Sequence, residues 1–220
     1  MDLKCQILSW GDVNRLAKAM TLRVMQSDFH PDVIIAISRG GVVPARIACD
    51  IMGITDLLAV KIDHWFETGE HSEKASVRFP LCADLTGKNA LIVDDITDTG
   101  SSLETALTHV RSKNPKDVKS ATMMHIPTSA YSPDYTGLSV KEWAWFVFPW
   151  NINEDVRNLT VKLLRAHPEL RGGPKDLAQW FRRFYGIRVS SKRFKESANL
   201  LCERRVAAWD DGRLKLLREK

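Results

Sequence analysis

Residues 90–102 read "ALIVDDITDTGSS". Ala90, Leu91, Ile92 and Val93 form the short apolar run of a buried strand. Two acids, Asp94 and Asp95, follow with no spacer, and a third stands at Asp98. Thr99, Gly100, Ser101 and Ser102 then make a turn of small, mostly hydroxylic residues. The next stretch, "SSLETALTHVRSK" (101–113), has helical spacing, with Ser101 and Glu104 placed as a capping box. Strand, paired acids, turn and helix follow one another with nothing between them.

In an open parallel sheet, ligands bind beyond the carboxyl ends of the strands. Asp94 and Asp95 sit at such an end. The first N–H groups of a helix lack intrahelical acceptors and lie at the positive end of its dipole, so the turn is a cradle for phosphate. Gly100 lets the backbone approach, and the hydroxyls of Thr99, Ser101 and Ser102 add donors. Carboxylates beside a phosphate repel it unless they face donors of their own, such as sugar hydroxyls. Phosphate at one end and a diol at the other describe a ribose phosphate. No G-x-x-x-x-G-K-[ST] loop occurs in the chain.

The flanking sequence alternates between strand and helix patterns. Residues 11–26 have helical spacing, "DVIIAIS" (32–38) reads as a strand, and 42–52 as a helix with Pro44 in its first turn. Residues 57–63, 89–96, 118–126 and 141–148 read as strands, and the polar stretch 65–76 as a mobile loop. The pattern predicts an α/β fold, a mostly parallel twisted sheet with helices on both faces. Beyond it, 153–170, 174–186 and 190–205 read as helices, and Asp211–Gly212 marks a hairpin, together a small winged-helix-like module.

The chain has 220 residues, 44% hydrophobic and 27% charged, as in a soluble globular protein. No apolar run approaches a membrane span, and the first residues do not read as a signal peptide. Cys5, Cys49, Cys82 and Cys202 are widely spaced, which fits a reducing cytoplasm and disfavours a zinc site or a disulfide framework. Residues 1–154 hold 15 Lys and Arg against 19 Asp and Glu; residues 155–220 hold 17 against 8. A basic tail on an acidic body marks either a nucleic-acid contact or a tail folded against the body or a partner subunit.

"LIVDDITDTGSS" resembles the PRPP-binding signature of the type I phosphoribosyltransferases, and "SRGGVVPA" (38–45) resembles their pyrophosphate loop. "WFVFPW" (145–150) is similar to the base-binding strand of the purine enzymes. The resemblance implies a phosphoribosyltransferase domain over 1–152, with 153–220 a basic helical extension. It implies displacement of pyrophosphate from C1 of PRPP by a purine nitrogen, as in purine salvage. Asp94 and Asp95 would hold the ribose hydroxyls, Thr99 to Ser102 the 5-phosphate, and Ser38, Arg39 and Gly40 the pyrophosphate. Thr97 and Asp98 complete the PRPP set. Arg39 and Asp98 would be catalytic, Arg39 on developing charge and Asp98 near N7 of the base. Magnesium would ride mainly on PRPP, and a cis peptide is expected at Ser38–Arg39. The loop at 65–76 would close over the site.

His125, Ile126, Trp145 and Phe146 are the implied base-binding residues, with Trp145 stacking on the purine. The 6-oxopurine enzymes usually carry a lysine just before a proline after the signature helix; here Ile126 precedes Pro127. Loss of that ammonium favours adenine, unless His125 or a backbone N–H donates to O6 instead. The rival reading is a PRPP-sensing, DNA-binding regulator, with Lys192, Arg193 and Lys195 facing nucleic acid. A retained pyrophosphate loop and aromatic strand favour the enzyme. A homodimer is expected by analogy with the fold, and no membrane partner.

Overall fold

Strand β1 (Cys5–Ile7) leads into helix α1 (Trp10–Met25), whose Val13, Leu16, Ala17, Met20 and Val24 fall on one buried stripe. The computed structural model describes residues 3–67, 70–170 and 172–217, with the side chains outside 64–74. Strand β2 (Val33–Ser38), helix α2 (Val42–Met52), strands β3 (Leu57–Glu67), β4 (Glu70–Phe79) and β5 (Asn89–Thr97), helix α3 (Ser101–Arg111), and strands β6 (Asp117–His125) and β7 (Tyr135–Ser139) follow. They build a six-stranded sheet in the order β4-β3-β2-β5-β6-β7. The β2–β3, β2–β5, β5–β6 and β6–β7 pairs are all parallel.

Both central strands are apolar on both faces, as burial between two layers requires. Val33, Ile35, Ile37, Ala90 and Ile92 pack with Leu103, Ala106, Leu107 and Val110 of α3. The alternate residues, Ile34, Ala36, Leu91 and Val93, are equally buried and point to the opposite face. The chain steps outward from β2 to β3 and β4, then returns to β5 on the other side of β2. That reversal between β2 and β5 opens a crevice at the carboxyl ends of the strands.

Three expectations change here. The stretch 65–76, expected as a loop, lies almost wholly in β3 and β4. Within β4, Ala75 and Val77 alternate onto the core, which gives this polar segment one apolar edge. The sequence 141–148 yields only Trp145–Val147 (β8), and it pairs in parallel with β1 rather than joining the main sheet. The capping box does not form: Gly100 caps α3 and Ser101 is already helical.

Contacts group Trp10–Phe66 with Glu70–Trp143 in one compact unit and join the residues before Trp10 to those from Ala144 onward in a second. The second unit so grouped resumes at Ala144, ahead of the expected 152/153 boundary, because β8 pairs with β1. The second unit adds helices α4 (Ile152–Ala166), α5 (Pro174–Tyr185) and α6 (Ser191–Glu203) and an antiparallel hairpin of β9 (Ala207–Asp210) and β10 (Arg213–Leu216). Asp211 and Gly212 both have positive φ, 47° and 70°, as the tight turn demands. Leu214 N–H donates to Gly172 C=O at 3.1 Å, tying the hairpin to the segment before α5. Phe181 lies at the centre, edge-on to Tyr185 and Phe194 with centroids 5.0 and 4.6 Å away. The four cysteines are free thiols. No described helix is long and apolar enough to cross a membrane.

Candidate functional site

The crevice between β2 and β5 receives two loops from adjacent strand ends. In the first, Ser38 Oγ donates to Val60 C=O at 3.3 Å, and the peptide between Ser38 and Arg39 is cis. Arg39 is exposed. Gly40 and Gly41 lie directly on β5. A Cβ on Gly40 would run into the Asp95 carboxylate, and one on Gly41 into Val93 C=O. The tight approach needs glycine at both positions and leaves no side chain between this loop and the acids.

Asp94 is 8% exposed and Asp95 half-buried. Asp95 N–H donates to Asp94 Oδ1 at 2.9 Å, and Ile96 N–H to Asp95 Oδ1 at 2.8 Å. Burial raises the Asp94 carboxyl well above the usual carboxylate range, and the Asp95 charge raises it further. Burial also raises Asp95, to about 6. Lys61, whose charge acts against this rise on Asp94, is itself paired with Asp63 at 3.2 Å. Two acids at a strand end whose charged forms are disfavoured by burial are suited to receiving hydroxyl donors from a ligand.

The second loop runs from these acids into α3. Gly100 has φ +89°, and a Cβ there would stand 2.7 Å from both Ser129 Oγ and Tyr131 Cβ. Thr99 Oγ1 accepts from Ser101 N–H at 3.3 Å, and Thr99 C=O from Ala130 N–H at 3.1 Å. Ser101 Oγ accepts from Ala75 N–H of β4 at 3.4 Å, and Ser102 is half-buried in the first helical turn. The turn is thus braced from two sides at the start of α3, where helix N–H groups face outward. Thr97 differs from its neighbours. It is buried, its hydroxyl donates to Thr122 Oγ1 at 3.3 Å, and its carbonyl accepts from Ile126 N–H.

Asp98 Oδ2 accepts from the Trp143 indole N–H at 3.3 Å, and Trp143 is 45% exposed. His125 ends β6; burial lowers its pKa, and its Nε2 is buried with no partner among the described residues. Ile126 is buried and presents no ammonium. Trp145 and Phe146 belong to the other unit. The Trp145 indole N–H donates to Asp155 Oδ1 at 3.0 Å, its ring packs on the C-terminal core, and Phe146 is buried. The pairing of β8 with β1 groups both residues with that unit. The exposed aromatic beside Asp98 is Trp143, which the sequence shows only as one ring in an aromatic string. Among the described residues, no three His, Cys, Asp or Glu side chains gather as a metal site.

A family profile described as phosphoribosyl transferase domain matches residues 6–155. The chain belongs to the type I phosphoribosyltransferase family. Xanthine-guanine phosphoribosyltransferase of Desulfotalea psychrophila is 31% identical over 146 residues, covering 66% of this chain and 84% of that protein. Among solved structures, a purine phosphoribosyltransferase from Pyrococcus horikoshii is 33% identical, with a TM-score of 0.57 over 68% of this chain and 94% of that one. A Neisseria gonorrhoeae protein solved with bound ppGpp is 25% identical, with a TM-score of 0.58 over 73% of this chain and 98% of that one. This phosphoribosyltransferase-family chain therefore has purine-enzyme relatives over its sheet unit, and residues beyond 155 lie outside the family match.

Proposed function

We propose that the protein transfers the 5-phosphoribosyl group from Mg-PRPP to a 6-oxopurine, giving the nucleoside monophosphate and pyrophosphate. The observation that carries this is the meeting of the Gly40–Gly41 backbone with the Asp94–Asp95 pair at the sheet's reversal point. In this reading the two carboxylates accept from the ribose hydroxyls, and the braced turn from Thr99 to Ser102 holds the 5-phosphate. Ser38, Arg39 and Gly40 hold the pyrophosphate, and Arg39 offsets charge on the leaving oxygen as the C1–O bond breaks. A base nitrogen closes on C1, with Asp98 accepting from N7–H and Trp143 offering the ring beside it. Magnesium arrives with PRPP. Thr97 acts through the sheet rather than on the ligand.

The 6-oxopurine choice rests on the Desulfotalea relative and on ppGpp, itself a guanine nucleotide, in the Neisseria structure. A specific observation favours adenine instead: Ile126 stands where a lysine would donate to O6, and its own N–H is taken by Thr97. A His125 tautomer with the proton on Nε2 would restore a donor for O6.

Pyrophosphate release from Mg-PRPP with hypoxanthine, guanine, xanthine and adenine in parallel decides between them. Turnover with an oxopurine supports the proposal, and turnover with adenine alone replaces it by the second reading. PRPP binding without turnover on any base makes the chain a sensor. The homodimer expected from the fold belongs to the same proposal, and sedimentation equilibrium checks it.

A further inference from the structure

The C-terminal unit carries a second feature that the transferase reading does not use. A cleft of about 810 Å³ opens between the first turns of α5 and α6 and the tip of the β9–β10 hairpin. Lys175, Lys192, Lys195 and Arg213 line it, all exposed. None of the four has an ion-pair partner among the described residues. Two acids share the cleft: Asp176, whose carboxylate accepts the Gly173 N–H at 2.8 Å, and Asp211 at the hairpin tip. Lys192 and Lys195 lie three residues apart and so share one face of α6. Arg193 faces elsewhere and donates to Asn153 at 2.7 Å.

We propose that this unit docks on duplex DNA, with α6 against a groove and the hairpin against the neighbouring backbone. Helices α5 and α6, joined through residues 186–190, have the succession of a helix-turn-helix, and an α-helix about 10–12 Å across fits a major groove about 12 Å wide. The hairpin packs beside α6 through β9, and the bond from Leu214 to Gly172 ties it to the segment before α5. Charge complementarity identifies the occupant. Four unpaired cations spaced across one cleft, in a segment where 17 basic residues face 8 acidic ones, match a row of phosphates.

A single strand fits less well. Such sites stack bases on exposed rings, and here Phe181, Tyr185 and Phe194 are buried and, among the described residues, half-buried Trp180 alone of the rings reaches the cleft. Sequence reading is weak on the same face, because Asn199 is occupied by the Trp209 indole. The contact is therefore one of shape and backbone rather than base sequence.

Fluorescence anisotropy of the full chain with a labelled random duplex of about 30 bp, titrated from about 50 to 200 mM KCl, tests this independently of the transferase assay. The wild type should bind, with affinity falling linearly in log–log form as salt rises. The triple variant Lys192→Ala, Lys195→Ala, Arg213→Ala should weaken binding at least about tenfold at low salt. It should flatten the slope by about 2.7, at roughly 0.9 per phosphate contact, and leave pyrophosphate release unchanged. Lys18→Ala with Arg23→Ala on α1 should leave DNA binding as it was. No binding at low salt, an unchanged slope in the triple variant, or tighter binding to the single strand than to the duplex each overturns the proposal.

Discussion

The Trp10–Trp143 unit buries a carboxylate at the end of its central strand, whereas the unit from Ala144 onward fills its interior with Phe181, Tyr185 and Phe194 and holds most of its charges outside. Its buried acid, Asp155, accepts from the Trp145 indole. Asp94 accepts from Asp95 N–H, Asp95 accepts from Ile96 N–H, and the two carboxyls also hydrogen-bond each other. Burial holds both of these carboxyls above the usual carboxylate range, which opposes folding, and such acids persist where a ligand supplies donors. The first unit thus trades stability for a site in its interior. The second packs its interior with rings, and the recognition proposed for it lies on its surface.

The hardest test of this contrast replaces both acids. Asp94→Asn with Asp95→Asn should lower kcat/KM by about 10²–10⁴-fold, since each charge-assisted hydrogen bond contributes about 1.5–3 kcal/mol. The same variant should raise the melting temperature of the ligand-free protein at pH 8. Burial lifts the folded carboxyls above their unfolded value of 3.8, Asp95 to about 6, so the native state holds more protons across that window. Stability therefore falls as pH rises through it, and the full cost remains above it. At pH 4 the gain should vanish. A variant less stable at pH 8 would show that the pair supports the fold.

In the second unit, Phe181→Ala should cost about 3–5 kcal/mol by urea denaturation, because the fully buried ring touches Tyr185 and Phe194. Turnover per folded molecule should be kept; if turnover collapses at a temperature where the sheet unit is folded, the contrast fails. Gly40→Ala comes next, at about 1–3 kcal/mol, since its Cβ meets the Asp95 carboxylate. It should raise the KM for PRPP more than that for the base. Ser190→Ala is the mildest, about 1 kcal/mol in the same denaturation assay, through loss of the α6 cap to Arg193 N–H.

How much of this was legible in the sequence depended on whether one element's pattern was self-sufficient. β2, α2, β5 and α3 announced themselves because apolar runs there end at Gly40–Gly41 or at the acids. β7 did not, since "YTGLS" is mixed and its glycine reads as a break. Gly137 is there because a Cβ would strike Leu16 C=O of α1 at 2.5 Å, a tertiary reason with no local sign. The capping box failed for a similar cause: Gly100 takes the cap and Ser101 turns to Ala75 of β4. The aromatic string hid which ring bonds Asp98, because Trp143 and Trp145 read alike in sequence and only Trp145 pairs with β1. On the site itself, the two loops and both acids were readable as a set, while the inward turn of Thr97 was not.

The β1–β8 pair also sets an order of events during synthesis. Cys5 lies opposite Trp145, 140 residues later in the chain. At roughly 5–20 residues per second, a ribosome takes on the order of ten seconds or more to cover that distance. For that interval β1 is an unclaimed strand edge, while the sheet unit between has everything it needs to close. A nascent chain halted near residue 143 would carry a finished sheet and a loose "CQI" segment, a ready template for pairing with another chain.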